Sequence, residues 1–163
     1  DAVTGIPNRE KFDEALDSEW RRNARNRTPI SLVLMEIDHY QDFCEQHGIQ
    51  AGNEALQRMI GALTGGIQRA GDVVGRFSEG VFACALPETD TLGAVSVGER
   101  IRAEVNSMAI PHGSSNAAPY VTLSLGVASL VPGRNDLLED LVDSGEQALE
   151  SARKRGGNQV VFG

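Results

Sequence analysis

Apolar positions recur along this chain in two periods, and the switches between them lay out its elements. Phe12, Leu16 and Trp20 stand four apart and share one face of a helix. Asn8 precedes that run, behind Gly5 and Pro7, and is the kind of residue that caps a helix start. The basic stretch from Arg21 to Arg27 reads as the solvated end of this helix. Ile30 to Ile37 is a continuous apolar run behind Pro29, the mark of a strand buried on both faces. It delivers Glu36 and Asp38 at its C-terminal end. Residues 40–47 read as a short helix and residues 48–52 as a turn bounded by glycines. Ala55, Leu56, Met59, Ile60 and Leu63 mark another helix, which Gly65 and Gly66 end.

Val73, Val74 and residues 81–86 are strand-like and flank Ser78-Glu79-Gly80, which predicts a hairpin closed by Pro87. Residues 92–108 form a long helix, with Val95, Ile101 and Val105 turned to the core and Glu99, Arg102 and Glu104 to water. Residues 111–118 are a small, polar loop. The alternation of Val121, Leu123, Leu125 and Val127 predicts a strand over 120–130, after which Pro132 and Gly133 turn the chain. Residues 137–155 are the last helix, and residues 158–162 a closing strand behind Gly156 and Gly157. Helices and strands alternate around a central hairpin. That pattern predicts an α/β fold with a mixed central sheet flanked by helices, rather than an all-parallel sheet.

Composition narrows the function classes. With 163 residues the chain fits one domain with a substantial core, and at 5% aromatic the aliphatic residues must fill it. A net charge of -8 argues against a general nucleic-acid surface, so an anionic ligand needs a local basic cluster. Cys44 and Cys84 are the two cysteines, without metal-ligand spacing, and point to free thiols in a reducing cytoplasm. No apolar run is long enough for a membrane helix. The abrupt start at Asp1 reads as a domain cut from a longer protein, whose membrane anchor, if it has one, would lie outside this segment. His39, His47 and His112 lack ligand spacing and read as surface or turn residues. Cys44 reads as a small packing residue, Cys84 as part of a core strand, and Trp20 as a packing residue.

Four ordered blocks carry a family resemblance over essentially the whole chain. Residues 1–9, DAVTGIPNR, are similar to D-x-L-T-G-L-P-N-R; residues 36–41, EIDHYQ, to D-I-D-x-F-K; residues 122–128, TLSLGVA, to T-x-S-I-G-V-A; and residues 147–158 to A-L-Y-x-A-K-x-x-G-R-N. Together they resemble the GGDEF family, the diguanylate cyclases. That resemblance implies a nucleotidyl-cyclase-like, polymerase-palm-like fold. It also implies a site where two facing domains join two GTP molecules with magnesium, a metal that requires hard carboxylate oxygens.

The resemblance also shows what has changed. At the signature hairpin the family's two glycines, two acids and phenylalanine become Ser78, Glu79, Gly80, Val81 and Phe82. The strand-end acid is Glu36, with Asp38 nearby, and both read as vestigial metal ligands, solvated and idle. The hairpin acids are replaced by Gly80 and Val81. Glu79 lies one position away, where a strand would point it to the opposite face. The guanine-reading positions hold Cys44 and Asn53, a weak donor and a single acceptor. The phosphate-binding pair becomes Arg153 and Gly157. No catalytic residue and no resident metal are expected, magnesium being implied only if GTP still binds.

A second site reads differently. In many family members R-x-x-D, just upstream of the signature, binds the product cyclic di-GMP. Arg69 and Asp72 stand in that slot, and Arg100 matches a second arginine of the site. A planar guanidinium can pair with a guanine edge or a phosphate, and a carboxylate can accept from the guanine amide edge. The expectation is an inactive GGDEF domain that binds cyclic di-GMP through these residues. The alternatives are a ligand-free interaction or dimerisation scaffold, acting on an attached EAL or other output domain, and a residual cyclase using Glu36, Asp38 and Glu79.

Overall fold

The computed structural model describes all of residues 1–163 except Gln68 and Ala70. In chain order the elements are α1 (Arg9–Asn26), β1 (Ile30–Ile37), α2 (Tyr40–His47), α3 (Ile49–Gly66), β2 (Val73–Ser78), β3 (Val81–Pro87), α4 (Thr91–Ser107), β4 (Leu123–Leu130), α5 (Leu138–Lys154) and β5 (Gln159–Phe162). The sheet order is β2-β3-β1-β4-β5. β1 lies between antiparallel β3 and β4, β2 pairs antiparallel with β3, and β5 joins β4 in parallel. The predicted mixed sheet and central hairpin are both present.

Strand parity explains the unbroken apolar run of β1. Val33, Met35 and Ile37 face one core with Phe82, Cys84, Leu123 and Leu125, packed on α2, α3 and α4. Ile30, Leu32 and Leu34 face the other with Ala83 and Ala85, under Phe12 and Leu16 of α1 and Leu141 and Leu149 of α5. Both faces are covered, so neither can be polar. Burial pushes the Cys84 thiol up, as expected for an inert core cysteine. Close packing of α5 on β4 depends on Gly126, where a Cβ would stand 2.2 Å from the Leu149 nitrogen. Asn8 caps α1 by accepting from the Lys11 amide at 3.0 Å. Among the described residues no helix is long and apolar enough to cross a membrane.

The structure departs from the sequence pattern at several places. Residues 48–52 are not a turn: Gly48 alone breaks the chain, with φ 94, and α3 starts at Ile49. β4 starts at Leu123, because the residues before it pair elsewhere. Tyr120 bridges to Pro111, and the Val121 amide donates to the Ile110 carbonyl at 2.7 Å. Within the basic stretch of α1, Asn23 is fully buried rather than solvated. His112 is also buried. It accepts from the Ser114 amide at 3.3 Å, and its Nε2 lies 3.0 Å from the carbonyl of His39, which adopts φ 53 at the β1–α2 junction.

Candidate functional site

The carboxyl end of β1 and the β2–β3 hairpin enclose the first candidate site. Cross-strand pairing sets Glu36 opposite Val81, so an apolar residue stands beside the strand-end acid. A register shift between Arg76 and Ser78 leaves Glu79 and Gly80 as the turn itself. Glu79 is therefore not flipped to the far face of a strand, as its spacing suggested. It lines a cavity of about 710 Å³ together with Glu36, Tyr40, Cys44, Asn53 and Arg76. Phe82 is fully buried, and the Arg76 guanidinium stacks over its ring at 4.9 Å while pairing with Asp1 at 3.2 Å.

Neither strand-end carboxylate is idle. Glu36 is held by Arg153, whose Nε donates to it at 3.0 Å and whose Nη2 also bonds it. Arg153 Nη1 donates to Glu150 at 2.7 Å. Burial works against the Arg153 charge, but its hydrogen bonds to Glu36 and Glu150 outweigh that and raise its pKa. Asp38 is buried, not solvated. It accepts from Thr122 Oγ1 at 2.7 Å, from Ser124 Oγ, and from the Asn158 amide at 2.8 Å. Gly157, at φ 74, makes this possible, because a Cβ there would stand 2.9 Å from the Asp38 carboxylate. A neighbouring cavity of about 360 Å³ is lined by Glu36, Asp38, Arg153, Lys154, Gly157 and Asn116, so the 111–118 loop reaches this end of the sheet.

The Cys44 thiol and Tyr40 hydroxyl converge over Gly52, where a Cβ would meet them at 2.4 and 2.9 Å. Burial, then the hydrogen bond with Cys44, pushes the Tyr40 phenol up. Sequence reasoning passed over Tyr40, since nothing in a lone tyrosine on a short helix announces a partner. Among the described residues no group of three or more His, Cys, Asp and Glu side chains is arranged to hold a metal ion.

The second candidate site brings Arg69, Asp72 and Arg100 together. All three line one cavity of about 330 Å³, with Leu86, Thr89, Gly93 and Val97. The Asp72 side chain is only 5% exposed, and Arg69 Nε lies 3.9 Å from its Oδ1. That oxygen is buried with no hydrogen-bond partner. Burial raises the Asp72 pKa against the opposing pull of Arg69. A buried carboxylate oxygen with no hydrogen bond, in a cavity that two arginines line, is free to accept one. Thr89 was not foreseen, although Arg69 Nη2 donates to its hydroxyl at 2.8 Å.

Residues 1–159 match the sequence profile of the family described as "Diguanylate cyclase, GGDEF domain". The chain belongs to the GGDEF family. It is 32% identical to the probable diguanylate cyclase DgcC of Escherichia coli (strain K12), over 98% of this chain and 42% of that protein. It is 29% identical to the response regulator PleD of Caulobacter vibrioides (strain NA1000 / CB15N), over 99% of this chain and 35% of that protein. The GGDEF chain thus spans less than half the length of these curated relatives. Among solved structures, the coiled coil and GGDEF domain of DgcB from Caulobacter crescentus, in complex with c-di-GMP, superposes with a TM-score of 0.89 at 24% identity, covering 100% of this chain and 84% of that one. The diguanylate cyclase SiaD of Pseudomonas aeruginosa, in complex with its activator SiaC, superposes with a TM-score of 0.88 at 28% identity, covering 100% and 61%. The nucleotidyl-cyclase-like fold follows from both.

Proposed function

We propose that this GGDEF domain is a non-catalytic module of cyclic di-GMP signalling that binds cyclic di-GMP through Arg69, Asp72 and Arg100. The observation that carries this reading is the cavity those three residues share, with the unpartnered Asp72 Oδ1 facing the guanidinium of Arg69. A guanine amide edge supplies the missing donor, and the arginines supply planar forks for a guanine edge or a phosphate. The likeness to DgcB carries the fold; the ligand assignment rests on the cavity.

Loss of catalysis rests on the other site. Its residues do not fit magnesium: Glu36 is committed to Arg153, Asp38 to three donors, Gly80 and Val81 bring no carboxylate, and Glu79 in the turn is left as a lone acid where the ion needs several carboxylate oxygens. With Cys44 a weak donor packed beside Tyr40 and Asn53 offering one acceptor, a bound guanine would leave donors unpaired, which costs affinity steeply.

Calorimetric titration of the chain with cyclic di-GMP tests the binding reading. Saturable heat is expected, weakened roughly tenfold or more by Arg69→Ala, which removes a charged hydrogen-bonding partner. An absence of heat from the wild-type chain would leave the interaction scaffold as the better account.

A further inference from the structure

The β3–α4 turn beside the ligand cavity is fastened from α1, from β1 and from the connection between them. Glu88, at φ 51, donates its amide to Asn23 Oδ1 at 3.1 Å, and Asn23 is itself fully buried, donating to the Glu19 carbonyl at 2.6 Å. The Thr89 amide donates to the Pro29 carbonyl at 3.1 Å, and the Thr89 carbonyl accepts from Ser31 Oγ at 2.7 Å. Both backbone groups of Thr89 are therefore engaged, and the residue is 8% exposed. Its hydroxyl donates to the Pro87 carbonyl at 2.9 Å, which orients the hydroxyl proton and leaves its lone pairs turned outward.

Arg69 uses that oxygen. Its Nη2 donates to Thr89 Oγ1 at 2.8 Å and also reaches the Pro87 carbonyl, while its Nε lies toward Asp72 at 3.9 Å. These bonds run from one nitrogen. The Arg69 side chain is 57% exposed, so without this tether its long stem would sample many rotamers. Fixing a guanidinium before the ligand arrives removes an ordering cost from binding.

We propose that Thr89 is the positioning residue of this site. Its hydroxyl, held by the fastened turn, anchors one end of the Arg69 guanidinium and presents the rest beside Asp72. This deepens, and rests on, the reading of the cavity as a cyclic di-GMP site. The residue touches Arg69 and acts through it.

The test compares Thr89→Val, which keeps shape and branching but removes the acceptor, with Thr89→Ser, which keeps the hydroxyl. Thr89→Val is expected to weaken cyclic di-GMP by about tenfold, and Thr89→Ser to stay within about twofold of wild type, as loss and retention of a charge-assisted hydrogen bond predict. In the ligand-free proteins, ¹⁵N NMR of the Arg69 guanidinium is expected to report a held group in wild type and Thr89→Ser and an averaging one in Thr89→Val. Wild-type affinity in a folded Thr89→Val would overturn the proposal. If the wild-type chain does not bind cyclic di-GMP, the ligand reading fails and the NMR arm alone decides the tether. Release of Arg69 only in Thr89→Val then upholds it, and a freely averaging Arg69 in wild type overturns it.

Discussion

At Asp72 the proposed binding role and the stability of the fold pull in opposite directions. Its carboxyl is desolvated and held above the usual carboxylate range, and one of its oxygens has no donor. A folded-state pKa above the unfolded value means the group contributes stability at low pH, which is lost as pH rises through the folded pKa. At neutral pH the ionised form is therefore a burden on the fold. Asp72→Asn is expected to melt at the same or a higher temperature than wild type, and to bind cyclic di-GMP roughly tenfold more weakly or worse. On acidification, wild-type affinity is expected to start falling at a higher pH than an ordinary carboxylate would give. Thermal melts and titrations over a pH series check both. The family resemblance pointed to Arg69, Asp72 and Arg100, and nothing in the chain pointed to Thr89 or to the buried Asn23. Those two are tied to the site by contacts between elements remote in the chain, such as Asn23 to Glu88 and Arg69 to Thr89.

Between elements, Asp38 works as a clasp. Asp38 sits just past β1 and gathers a hydroxyl from Thr122, another from Ser124 in β4, and the amide of Asn158 ahead of β5. It thus ties together the carboxyl end of β1, the amino end of β4 and the start of β5. Asp38→Ala would strand these donors, and an unfolding free energy lower by about 3 kcal/mol is expected from chemical denaturation. An idle, solvated acid would give no measurable change. Element types and order were legible because apolar periodicity and glycine and proline punctuation mark them directly. Boundaries near 48–52 and 120–123 were not, since Gly48 alone separates two helices and Tyr120 pairs with Pro111 outside the sheet. The role of Asp38 was hidden for a similar reason, because its partners are assembled only by the sheet.

Across the whole molecule, the two candidate sites differ in how their charges are arranged. One retains a guanidinium–carboxylate arrangement with an open acceptor. In the other, acids and bases bond to one another, as Glu36 does with Arg153. A net charge of -8 adds to the contrast, because a phosphorylated ligand must rely on local cations. At the second candidate site Arg100 and the half-exposed Arg69 line the cavity; at the first, Arg153 is held by both Glu36 and Glu150. The most direct measurement is a paired calorimetric titration of one sample with cyclic di-GMP and with GTP and Mg²⁺, the GTP mixture then being chromatographed for product. This account predicts saturable binding of cyclic di-GMP, no binding of GTP and no product. Micromolar GTP binding or any reproducible cyclic product, with no heat from cyclic di-GMP, would contradict it.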